Sequence, residues 1–295
     1  MDNKKSKIGM LILLALFLFS LCVNFYCIFF YENYTTYLQD TNEIYIMESG
    51  IIEANRQFRD GEDKEIQYDF NHANRNELLK KYNIQTIAGN GSEFGKAVNL
   101  MHEYSERLRH ESNSELKSEQ MDAMFLLDYA LDDSDHGINC RAKSQILNEM
   151  CLALKIYSRK VWLMPISKYD TDCHVVNEIW DSKLNKWIML DITNDMYWVD
   201  ENKTPLSIVE IREKLADQQF CTPISGSDVH SDLKNVLDDN YDNFLYIAKN
   251  MVYLEYMVNN AAGESDVYTL MPENLDKPYD FLISEKAVKS PPETK

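Results

Sequence analysis

GINCRAKSQILNEMCLALKIYSRKVWLMPISKYDTDCHVVNEIWDSKLNKWIMLDIT, residues 137–193, is the stretch whose reading decides the fold. Cys140, Ser144, Leu147, Cys151 and Leu154 recur at helical spacing, so the pattern predicts a helix with one stripe turned inward from its first turn. Then the period changes. CHVVNEIW and NKWIMLDI are β-branched and aromatic runs separated by DSKL, which reads as two strands joined by a hairpin loop of about four residues. A helix feeding an antiparallel hairpin gives an α+β class.

The same stretch carries chemistry. Cys140 falls at the start of the helix, His174 inside the first strand and Asp191 near the end of the second. A thiol, an imidazole and a carboxylate in these roles are what cysteine-dependent acyl transfer uses. At a helix N-terminus the unpaired backbone N–H groups and the positive dipole end favour an anion and supply donors for a developing oxyanion. Closing the loop with Trp180 opposite Asn185 sets His174 opposite Asp191, Val176 opposite Met189 and Glu178 opposite Trp187, all on one sheet face. In that register Asp191 is expected to accept from the Nδ1–H of His174 and leave Nε2 for Cys140. Each residue also has an ordinary structural reading: a cysteine on an apolar stripe is usually a small core residue, and a strand histidine or hairpin-end aspartate usually satisfies neighbouring backbone. Their joint spacing favours a site.

Other features match a known pattern. Gly137 precedes Asn139-Cys140, small Ala142 and Ser144 follow on the helix, and LKIYSRKV leads with a turn, a small residue and an arginine into the next strand. His174 is followed by Glu178-Ile179-Trp180, and KWIMLDIT closes the stretch. These motifs resemble the transglutaminase-like superfamily of the papain-like cysteine protease fold. Upstream, NELLKKYNIQTIAGNGSEFGKAVNLMHEYSERLRH (76–110) resembles the helical lead-in of bacterial members. The resemblance implies a helical N-terminal half, an antiparallel sheet, Cys140 as nucleophile, His174 as general base and Asp191 as its orienting partner, with no cofactor and no metal. The chain departs from the family at Arg141, Val175 and Val176, where many members carry aromatics that shape the substrate groove.

Composition bounds the rest. At 295 residues and 45% hydrophobic the chain can bury a sizeable core, and its net charge of −18 makes nucleic acid an unattractive partner. Ile8 to Phe30 form an apolar run behind Lys4, Lys5 and Lys7. Such a helix spans the ~30 Å hydrocarbon core of a bilayer with the lysines on the cytoplasmic side. A cleaved signal peptide is the competing reading, but the run continues into bulky residues rather than a small-residue cleavage site. The expected organisation is a cytoplasmic N-terminus (1–7), a transmembrane signal anchor (8–30), an extracellular stalk or peripheral element (31–75), the transglutaminase-like domain (76–285) and a flexible tail (286–295).

Within the domain the pattern predicts helices through Leu78 to Tyr82, from Ser92 onward, from about Leu116 to Leu131, from Ser207 to Ala216 and from about Asp239 to Asn250. Strands are expected at Met196 to Val199, in MVYLEYMV and in VYTLM. His102 and His110 fall on the predicted long helix, and His136, in the acidic loop before Cys140, is a candidate substrate or oxyanion contact. Cys173 is a possible disulfide partner for Cys221. The reading is an exported, membrane-anchored enzyme of single-pass topology acting on amide bonds of a protein or peptide substrate, as a peptidase or amidase or as a transglutaminase. The alternative is a non-catalytic binding or assembly module at the cell surface.

Overall fold

The computed structural model of the chain describes residues 2–40, 43–114, 116–117, 121–167, 169–219, 221–225, 245–275 and 281–289. Two compact units divide it, residues 1–47 and 48–295. The first is dominated by helix α1 (Asp2–Asp40). Its stretch Gly9–Ile28, 20 residues long, is apolar enough to cross a membrane, a property that an N-terminal signal sequence shares. Asn24 in that run donates through Nδ2 to the Ser20 carbonyl at 2.7 Å, so its polar amide is satisfied within the helix.

The second unit is a mixed α+β body. In chain order its elements are α2 (Glu43–Ala54, which begins in the first unit), β1 (Gln67–Tyr68), α3 (Arg75–Lys81), α4 (Ile84–Ala88), α5 (Glu93–Arg107), α6 (Ala123–Asp132) and α7 (Cys140–Ala153). Next come β2 (Ser158–Met164), β3 (His174–Asp181), β4 (Lys186–Leu190), β5 (Met196–Val199), α8 (Ile208–Ala216) and β6 (Thr222–Ser225). A helical segment at 245–249 precedes β7 (Tyr253–Met257), β8 (Asn259–Asn260), β9 (Val267–Leu270) and α9 (Glu285–Lys289). The main sheet is antiparallel, in the order β4-β3-β2-β7-β9.

Helices α3 to α7 cover one face of this sheet. Leu78, Met101, Leu126, Ile146, Leu147 and Met150 pack there with Ile179, Ile188 and Leu190 from the two hairpin strands. On the other face Glu178 accepts from the Ile208 N–H at 3.0 Å, fixing the start of α8. Buried Arg159 ion-pairs with Glu178 at 2.6 Å and stacks its guanidinium over Trp187, 3.8 Å from the ring centre. A capping box forms at Ser207: its hydroxyl accepts from Glu210 N while the Glu210 carboxylate accepts from Ser207 N.

Several boundaries move. The unit begins at Glu48, upstream of the boundary expected at Asn76. Ile52 is fully buried, Ser49 donates to the Leu215 carbonyl, and Arg56 pairs with Glu213 at 2.7 Å. The helix expected from Leu116 starts at Ala123, because the Asp122 carboxylate caps it by accepting from Met124 N and Phe125 N. The long helix ends at Arg107, so only His102 lies on it. The last predicted helix is described over 245–249; its expected start at Asp239 and the end of the tail lie outside the described residues. Part of that tail, Glu285–Lys289, is helical. Cys173 and Cys221 are both free thiols.

Candidate active site

Helix α7 is buried all round, from Ala142 through Ala153, and not on one stripe alone. Its N-terminus is set by Asn139, whose side-chain oxygen accepts from Ala142 N at 3.1 Å and leaves Cys140 as the first helical residue. The loop before it is delivered by a short bridge between His110 and Ile138. Ile138 N donates to the Arg109 carbonyl and Glu111 N to the Ile138 carbonyl, each at 3.0 Å. This close passage explains Gly137: a Cβ there would lie 2.5 Å from the Cβ of Glu111. Glycine is the residue that fits.

Two hydrogen bonds then fix α7 to the histidine strand. Ser144 Oγ donates to the Val175 carbonyl at 2.7 Å, and Asn177 Nδ2 donates to the Ser144 carbonyl at 2.9 Å. On another flank Gln145 donates to Glu149 and accepts from Lys160, which also pairs with Glu264. Arg141 lies 3.5 Å from Glu264 and donates to the Leu116 carbonyl.

The hairpin keeps the expected faces in a different register. Asp181 pairs with Lys186 and Trp180 with Trp187, so the first strand runs one residue further and the second starts one residue later than in the expected Trp180–Asn185 closure. The cause is local: Asp181 Oδ1 accepts from Lys183 N and Leu184 N, and Asn185 takes a left-handed conformation (φ 54°). Because both strands move together, facing parity survives. His174 and Asp191 are diagonal neighbours on one face instead of direct partners.

They meet even so. The His174 ring donates through Nε2 to Asp191 Oδ2 at 2.8 Å, and both side chains are buried. This reverses the expected ring orientation: Nε2, not Nδ1, faces the carboxylate. Cys140 lies near enough to the same ring to act on its charge, and with Nε2 committed to Asp191 the nitrogen left for it is Nδ1. The diagonal placement accounts for the reversal, since Asp191 approaches the far end of the imidazole. Asp191 itself is held by a tight turn: Oδ1 accepts from Thr193 N and Asn194 N, and Oδ2 also accepts from Asn194 Nδ2 at 2.8 Å.

Charge follows geometry. Burial works against a proton on His174, but the Asp191 carboxylate, aided by the nearby Cys140, outweighs it and pushes its pKa up to about 10. Burial likewise works against a charged Asp191, yet His174 and the Asn194 donors hold it below the ordinary carboxylate range. No protein-family model, curated protein or solved structure matches the chain significantly.

Further side chains stand beside the three predicted ones. Tyr246 lays its ring edge-on to His174, centroids 5.5 Å apart, and donates to Asp172 Oδ1 at 2.8 Å. Lys249, on the same short helical segment, pairs with Asp170 and Asp172, tying that segment to the approach to β3. Lys143 and His110 lie close enough to the pair for their charges to be felt by it. A tyrosine far along the chain and a lysine inside a helix offer no spacing signal, whereas His110 would have been found by recognising the strand-like bridge after α5. His136 is not part of the group: it stacks on Tyr129 at 4.3 Å and bonds the Tyr129 carbonyl.

Proposed function

We propose that the domain is a cysteine-dependent acyl-transfer enzyme of transglutaminase-like, papain-like type, acting on an amide bond of a protein or peptide. The observation that carries this reading is the meeting of three groups: Cys140 lies near enough to His174 to act on its charge, and His174 is bonded to the buried Asp191. In the first step the Cys140 sulfur bonds to the amide carbonyl carbon while His174 Nδ1 holds the thiol proton. The Cys140 backbone N–H, in the first turn and without an intrahelical acceptor, faces the developing oxyanion. The carbon–nitrogen bond breaks as His174 passes the proton to the leaving amine, and Asp191 compensates the imidazolium throughout.

The thioester is resolved by water, giving a peptidase or amidase, or by an amine, giving a transglutaminase; either attacker returns its proton through His174. The domain is placed outside the cell, anchored by Ile8–Phe30 with Lys4, Lys5 and Lys7 on the cytoplasmic side. Labelling with iodoacetamide near neutral pH tests the reading. Cys140 is expected to react faster than a free cysteine and to slow in His174→Ala. Reaction at the free-cysteine rate, unchanged by His174→Ala, would leave a non-catalytic binding module.

A further inference from the structure

Lys143 is 2% exposed, yet among the described residues its ammonium group makes no hydrogen bond and no ion pair. A buried ammonium ordinarily has a partner, because leaving water without one is costly. The carboxylate whose charge reaches it, Asp191, is already engaged. Asp191 takes two backbone N–H groups on Oδ1, and Asn194 and His174 on Oδ2, which fills its acceptor sites.

Its position points at the reacting sulfur. Lys143 is three residues beyond Cys140 on α7, so the two share one side of the helix with Cβ atoms about 5–6 Å apart. Helical side chains lean toward the N-terminus, which carries the lysine back over the turn that begins with Cys140. Toward solvent stands His110, exposed, its ring bonded through Nε2 to Ser112 Oγ at 3.0 Å. The inward part of that ring and the Lys143 and His174 charges lower the His110 pKa, so near neutral pH His110 adds no competing cation.

We propose that Lys143 anchors a carboxylate carried by the substrate within a few bonds of the amide that Cys140 attacks. This rests on the acyl-transfer reading above and narrows its substrate class to acidic donors. Burial draws the Lys143 pKa down to about 8, with Asp191 opposing, so the ammonium form prevails at neutral pH and below. The lysine is a binding residue and takes no part in proton transfer.

Two alkylating reagents of nearly equal size test it on the full chain: iodoacetate, which carries the carboxylate, and iodoacetamide, which does not. The expected result is an iodoacetate-to-iodoacetamide rate ratio at Cys140 that drops about tenfold in Lys143→Met and recovers in Lys143→Arg. A ratio unchanged in a folded Lys143→Met overturns the proposal. Should that variant not fold, the unaltered protein decides: N-acetylglutamate α-amide, with one carboxylate, is expected to protect Cys140 from iodoacetamide at least several-fold better than N-acetylglutamine α-amide, with none, does, and equal protection overturns the proposal. Failure of the acyl-transfer reading looks different, since Cys140 would then be slow toward both reagents and indifferent to His174→Ala.

Discussion

At the scale of single residues, the His174–Asp191 pair makes the sharpest predictions. Replacing Asp191 with Asn keeps the shape but removes the charge that holds the imidazolium, and the amide can donate to the ring as well as accept from it. Alkylation of Cys140 in Asp191→Asn is expected to slow by about 10²-fold at neutral pH. Stability should carry the same signature. The His174 pKa is raised from about 6.5 in an unfolded chain to about 10 in the fold. Its stabilising contribution is therefore complete below the lower value and is lost as pH rises through the upper one. Asp191, held below its ordinary range, contributes above the unfolded value near 3.9 and loses that contribution as pH falls through its folded value. Urea midpoints of the native chain should decline between about pH 6.5 and 10 more steeply than those of His174→Gln; parallel curves would show that the pair is not coupled to folding. Tyr246 divides by atom: Tyr246→Phe keeps the ring edge against His174 and should label nearly as the native chain does, while Tyr246→Ala should label up to about tenfold more slowly.

At the scale of elements, the bridge before Cys140 and the two bonds between α7 and β3 fix the site. Gly137→Ala drives a methyl group into Glu111, so His110–Ile138 pairing has to open. We expect a melting point lowered by several degrees, equivalent to about 1–3 kcal/mol, and slower labelling of Cys140. Ser144→Ala removes the donor to the Val175 carbonyl and should cost about 1 kcal/mol. This is also the scale at which the sequence was most and least readable. The helix from Cys140, the strand parity of His174 and Asp191, and the cap at Ser207 all follow from local periodicity and short-range hydrogen bonding, which a single chain displays openly. The hairpin register and the ring nitrogen facing Asp191 do not, because both depend on Asp181 capping its own turn. The premature start assigned to α6 has the same origin: apolar spacing continued through Met121, but the Asp122 cap decides where helical hydrogen bonding begins. Lys143 and Tyr246 reach the site through tertiary packing alone.

At the scale of the whole molecule, the segment between the apolar helix and Asn76 matters more than its loose periodicity indicates. Residues 48–75 bring Ile52 into the core and engage α8 through Ser49 and Arg56. Arg75 adds a buried bond to Glu149 on α7 at 2.9 Å. A fragment beginning at Asn76 is expected to be insoluble or molten, whereas one beginning at Glu48 should unfold cooperatively; equal melting curves for both would show the segment to be an appendage. Breaking the buried Arg159–Glu178 pair by Glu178→Ala should cost about 3–5 kcal/mol, since it strands a guanidinium and also uncaps Ile208. Within intact cells, a membrane-impermeant maleimide is expected to reach Cys140, and a tryptic map of the purified protein should retain peptides from the apolar run. Loss of that run would indicate cleavage, and labelling only after lysis would place the domain inside.

Because α7 is enclosed along its length and open only where it starts, the Cys140 sulfur cannot be switched on or off by tilting or sliding its own scaffold. Control over what reaches it falls to the surrounding rim: the 109–111 bridge, the approach to β3 and the short helical segment that carries Tyr246. Relatives that share this chemistry would then diverge in appetite through those three pieces while the post that bears the thiol stays the same.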